Sequence, residues 1–234
     1  SQTSMPFWLD KEKLPTENKN YYLKSIFYYS YNLNSSINKK NKYIQIETTY
    51  VKDILDKLNL NSKKIKYRKY KNLIIFPLTT FFETNRTSLE SELNLYIDYL
   101  NEKINKKKDI LLIKPHPGNL EIKKKLLLKR LKSENFKILN NQFEKDQIIQ
   151  LPLRIIPLEL LCSILVMKMY INEKDIKIAL NSNATLSTSY LFPEIKCLKP
   201  FGKKLITKYI KKEFIKKRII QEEILMKKIF KNKR

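Results

Sequence analysis

Imidazole chemistry in this chain has one address, because the sequence holds a single histidine, His116, inside the run Lys114-Pro115-His116-Pro117-Gly118. Two prolines fix the backbone on either side of the ring, and Gly118 permits close approach of a ligand. A histidine held in this way can donate to a phosphate oxygen, and Lys114 adds positive charge beside it. The alternative is a tight turn that leaves an exposed histidine. A second candidate is the polar stretch 181–189, in which Ser182, Asn183, Thr185 and Ser187 precede or open a helix. Hydroxyls and orphan backbone N–H groups at a helix start attract anions, although serine and threonine are also ordinary helix caps. The third is Glu159, two residues after Pro157. The helix dipole alone favours an acidic residue in a first turn, and a carboxylate there could also accept both hydroxyls of a ribose.

The remaining composition narrows the chemistry. Of 234 residues only two are glycine, Gly118 and Gly202, so neither a Walker loop nor a glycine-rich dinucleotide fingerprint is present. Cys162 and Cys197 are far apart, in neither a disulfide framework nor a zinc spacing, and no metal site is expected. The formal charge of +25 comes overwhelmingly from lysine, with six arginines among 48 basic residues, in a chain also rich in Asn and Ile. That bias resembles AT-rich codon usage. Nucleic-acid surfaces favour arginine, and no helix-turn-helix, zinc finger or aromatic RNA-binding strand is visible, so no specific nucleic acid is expected.

Positioning these residues requires strands that end at them. From residue 72 onward, short apolar runs alternate with helical periods, the signature of a parallel α/β sheet. Strands are expected at 73–76, 110–113, 136–139, 176–180 and 195–198. A helix between the first two has Leu89, Leu93, Ile97, Leu100 and Ile104 on one face, opened by a capping box from Thr87 to Glu90. The helix at 120–131 reads as lysine-rich outside and leucine-rich inside. Another begins near Pro157, with Leu158, Leu161, Cys162, Leu165 and Met169 as its buried stripe. The KPHP loop and the serine turn then follow strands directly, where open parallel sheets bind ligands.

Upstream, residues 1–70 contain an aromatic-rich stretch at 21–31, a strand near 43–47 and a short amphipathic helix carrying Val51, Ile54, Leu55 and Leu58. This segment reads as the remnant of a truncated N-terminal domain, in keeping with a start at Ser1. Residues 71–202 form the Rossmann-like domain. Residues 203–234 carry 13 basic and 3 acidic side chains, with apolar pairs mostly five residues apart. That spacing rotates around one helix, so a break is expected.

In this order, strand–KPHP–helix, Pro-x-Glu at a helix start and strand–serine-rich turn resemble the C-terminal half of bacterial GT-B sialyltransferases and polysialyltransferases, the families with an HP motif. The resemblance covers about residues 72–201, including the polar turn Pro77-Leu78-Thr79-Thr80. It implies a Rossmann-like domain that binds a CMP-linked sugar, with His116 and the serine turn at the phosphate and Glu159 at the ribose. Lys114, Pro117 and Gly118 would complete the donor site.

The function expected from that likeness is a metal-independent, inverting glycosyltransferase. It would move sialic acid, or a related nonulosonic acid, from CMP to a glycan acceptor in bacterial lipopolysaccharide or capsule synthesis. His116 would be the catalytic residue and the CMP-sugar a donor substrate; no cofactor is expected. Two departures stand out. The paired serines of the family become Ser182-Asn183 or Ala184-Thr185, and the family's Asp/Glu-Asp/Glu-Gly base motif is absent. The base would lie upstream, or the chain would be a donor-binding half that cannot catalyse by itself. The chain alone is expected to be inactive, and robust transfer by it would point to another base such as Glu83 or Asp10. The alternatives are a donor with another nucleotide, or a non-catalytic basic module for nucleic acid or anionic membrane. The expected location is the cytoplasm, with possible peripheral attachment to the inner membrane face through 219–234.

Overall fold

The computed structural model describes residues 70–140, 153–182 and 184–231. The expected strand near 43–47, the helix at 51–58 and Asp10 lie outside them. The chain divides into compact units at 1–59 and 60–234, and the second of these carries the sheet and its helices. Four strands, β1 (Asn72–Pro77), β2 (Asp109–Lys114), β3 (Ile176–Ala179) and β4 (Lys196–Leu198), form a parallel sheet in the order β2-β1-β3-β4. Its helices are α1 (Leu89–Lys103), α2 (Glu121–Ser133), α3 (Leu158–Ser163), α4 (Ala184–Leu191), α5 (Gly202–Tyr209) and α6 (Lys212–Lys231). The fold is α/β, a parallel sheet flanked by helices in the Rossmann-like manner.

Both faces of β1 and β2 are covered, which is why they read as apolar runs. Ile74, Phe76, Leu111 and Ile113 share one core with Tyr96, Tyr99 and Leu100 of α1, Leu127 and Leu131 of α2, and Leu205 and Ile206 of α5. Full burial of each such side chain contributes about 1.5–3 kcal/mol. The strand expected at 136–139 is reduced to one parallel bridge, Leu111 with Ile138. Beyond it the buried amide of Asn140 takes over, accepting from Ile113 N–H at 2.8 Å and donating to Ile113 O at 2.7 Å, so a side chain finishes the sheet edge.

The cap of α1 also differs from the expectation. Ser88 accepts from Ser91 N–H at 3.1 Å, while Thr87 is drawn into a tertiary bond to Tyr209 O. The break in the C-terminal segment falls at Ile210 and Lys211, between α5 and α6. Both halves pack on the domain: Leu205, Ile206 and Ile210 join the main core, and Leu225 and Ile229 close over Leu180. Ile220 and Ile224 are left about half exposed on the outer side of α6.

Candidate functional site

The strand order reverses between β1 and β3, since the chain leaves β1 for β2 on one side and later returns to β3 on the other. At such a switch point the loops at the carboxyl ends diverge and leave a crevice. Its walls are the turn after β1, Leu78 to Thr80, and the turn after β3, beginning at Asn181. Asn181 spans them, donating from Nδ2 to Pro77 O at 3.3 Å. The KPHP loop ends the next strand over, tied to the same edge by Leu78 N–H donating to Lys114 O at 2.9 Å.

Lys114 is buried, its Nζ donating to Pro115 O at 2.8 Å. Burial brings its pKa down to about 8, against the pull of Glu159. Glu159, buried in the first turn of α3, is therefore close enough to act electrostatically on the KPHP loop. His116 is half-buried, with its Nδ1 accepting from Gly118 N–H at 3.0 Å. Its pKa is lowered to about 4, chiefly by burial; among the described residues the charges of Lys114 and Lys123 add to this and Glu83 opposes it. Pro117 and Gly118 are exposed at the loop tip.

On the β3 side, Ser182 is partly buried and its Oγ accepts from Ala184 N–H at 3.2 Å, the capping arrangement open to it from sequence. Thr185, expected at the ligand face, is turned inward: it is fully buried with its hydroxyl toward Ala179 O. Asn183 and the side chain of Ser187 lie outside the described residues. The buried Oδ1 of Asn181 has no hydrogen-bond partner among the described residues. His116 and Ser182 thus lie in loops at the carboxyl edge of the sheet, and Glu159, in the first turn of α3, acts on Lys114 at the same edge.

Beneath the KPHP loop lies a polar network that the sequence reading does not anticipate. Lys123, expected on the outer, lysine-rich side of α2, is fully buried and pairs with Glu92 at 2.7 Å and Glu83 at 2.9 Å. It also donates to Thr79 O at 2.8 Å. Glu92, itself fully buried, accepts from Thr79 Oγ1, Tyr96 OH and the Phe82 N–H. The turns after β1 and β2 are thereby bolted together. The readable signal is register, because Lys123 stands four and eight residues before the buried Leu127 and Leu131.

Glu83, the base that activity of the chain alone would point to, is committed to this network. Burial works to raise its pKa, but the Lys123 bond and backbone N–H donors hold it below the usual value. A carboxylate so paired is a poor proton acceptor near neutrality.

No family model, curated protein or solved structure matches the chain. Among the described residues, no three or more His, Cys, Asp or Glu gather as a metal site, and no helix is long and apolar enough to cross a membrane. A groove of about 610 Å³ lies apart from the KPHP loop, lined by Phe201, Leu205, Ile219, Met226 and several lysines, and holds none of the expected site residues.

On the β3 side, α6 supplies a second unexpected element. Arg218 is buried, donates to Asn181 O at 3.2 Å and to Glu222 at 3.0 Å, and lies over the rings of Phe81 and Phe201 at 5.0 and 5.7 Å. It braces both turns that wall the crevice. Arg218, Glu222, Leu225 and Ile229 are spaced by four, three and four residues, so the two charges occupy the helix's buried stripe.

Proposed function

We propose that the chain is a glycosyltransferase, or the donor-binding half of one, that uses a CMP-linked sialic or related nonulosonic acid and transfers it to a glycan hydroxyl. The observation that supports this reading is the placement of Lys114 at the end of β2 and of His116 in the loop after it, beside the β1/β3 switch point, with Glu159 acting on Lys114. A phosphate bound there would meet the imidazole on one side. On the other it would meet Ser182 and the first turn of α4, where the hydroxyl and the helix dipole favour negative charge.

In the proposed reaction, charge develops on the phosphate of the departing CMP as the glycosidic bond breaks toward an oxocarbenium-like transition state. His116 and Lys114 stabilise that charge more strongly in the transition state than in the bound donor, which is the requirement for acceleration. Inversion needs a base on the opposite side of the sugar to take the acceptor proton. Glu83 is tied up, so the base is assigned to a carboxylate outside the described residues, and no metal takes part in the proposed step.

A thermal-shift panel with CMP, CDP, UMP and UDP tests the donor class, since a ligand stabilises only the state that binds it. Selective stabilisation by CMP supports the reading. A larger shift with UDP or CDP would keep the fold's role and replace the donor, and no shift with any nucleotide would reject it.

One observation favours peripheral attachment as a second property. The outer face of α6 presents Ile220, Ile224 and Phe230 among exposed Lys216, Lys217 and Lys227, a combination suited to an anionic bilayer surface.

A further inference from the structure

We propose that the loop from His116 to Asn119 is built to present His116 as a neutral imidazole with its single proton on Nε2, and that Asn119 is the residue that holds it so. The backbone N–H of Gly118 points at Nδ1 across 3.0 Å. A proton on Nδ1 would face that hydrogen directly, so Nδ1 carries the lone pair and Nε2 the proton. The ring then offers its environment a hydrogen-bond donor, which fits an acceptor oxygen such as those of a phosphate.

A bond between neighbours two residues apart survives only if the turn is fixed, and Asn119 fixes it from both sides. Its Oδ1 accepts from His116 N–H at 2.7 Å and its own N–H donates to His116 O at 2.9 Å. From the same side chain, Nδ2 donates to Thr79 O at 2.8 Å and to Glu83 at 3.1 Å. Asn119 is buried, and both of those acceptors are also held by Lys123. The imidazole is thus anchored to the paired turns after β1 and β2. Among the described residues, the charged groups that act on it are Lys114 at the end of β2, Lys123 on α2 and Glu83 in the β1–α1 turn, a set with excess positive charge that also disfavours an imidazolium.

The use made of the Nε2–H rests on the phosphate reading of the site, but the tautomer belongs to the ligand-free protein and is tested without nucleotide. Because His116 is the one histidine, histidine labelled with nitrogen-15 gives one imidazole to observe in the full chain. Long-range proton–nitrogen NMR between pH 5 and 8 is expected to show the Nε2–H tautomer throughout, with no titration in the ordinary histidine range. An Nδ1–H tautomer, or a midpoint near that of a free imidazole, would overturn the proposal.

Asn119→Ala is expected to mix the tautomers and bring the titration up toward the ordinary range. It should also weaken CMP binding about tenfold, the lower end of what removing the partner of a metal-ligating histidine costs. Lys125→Ala, at an exposed position of α2, is expected to leave both the tautomer and the titration unchanged. Wild-type spectra from Asn119→Ala, or an equal change in Lys125→Ala, would reject the role of Asn119. If the tautomer is as expected and CMP does not bind, the glycosyltransferase reading fails and this proposal stands.

Discussion

Lys123 and Glu92 are both fully buried, with Nζ and Oε2 2.7 Å apart, and between them they join helix α2 to the first turn of helix α1. Glu83 completes the arrangement from the turn after β1. Removing one member of such a group strands the others in a low-dielectric setting, a greater loss than the pair's own net contribution.

Lys123→Ala is therefore expected to destabilise the fold by about 3–5 kcal/mol, read from urea unfolding. Lys125→Ala, at an exposed position two residues on, is expected to change stability by no more than about 0.5 kcal/mol. Equal midpoints for the two variants would contradict the buried network.

Stability should also fall as pH drops from about 6.5, the free histidine value, toward the folded value of His116, about 4. The sign is set by proton uptake: in this window the unfolded chain binds the proton and the folded chain does not, so acid favours unfolding. Glu83, Glu90 and Asp98, whose pKa values are lowered by their basic partners, act in the same direction only as pH falls below the ordinary carboxylate values. His116→Ala should thus flatten the profile between pH 6.5 and 5 and leave the steeper acid limb. An unchanged slope in that upper window would contradict the depressed pKa.

The buried lysine and the histidine loop differ in how visible they are in the sequence. The strands were legible because a parallel strand covered on both faces must be apolar throughout, as 73–76 and 110–113 are. Residues 136–139, Phe-Lys-Ile-Leu, are apolar but for Lys137 and reach the edge of β2, where one bridge and the Asn140 amide suffice. Lys123 was obscured by the lysines around it; only its register with Leu127 and Leu131 marks it as inward, and composition averages that away. Arg218 was hidden for the same reason in a tail whose net charge suggests a solvated surface. The loop sequence puts His116 after a strand, but the switch point beside it depends on strand order, which no local pattern encodes.

The packing of α6 changes how its membrane contact should be tested. Leu225 and Ile229 are core residues, so truncation within the helix would disturb the fold along with any surface. The double substitution Ile220→Ser and Ile224→Ser alters exposed positions only. The intact chain is expected to sediment with anionic vesicles at low salt, less at physiological salt and hardly with neutral ones. The variant should lose most of that binding. Equal partition of both chains would remove α6 as the attachment surface.

Whether His116 and the switch-point crevice bind the phosphate of a CMP-linked donor is measured by calorimetric titration of CMP into the wild-type chain and into His116→Ala. The prediction is saturable binding to the wild type and at least about tenfold weaker binding, or about 1.4 kcal/mol, for the folded variant. Absence of binding to the folded wild-type chain, or equal affinity for both proteins, would contradict it.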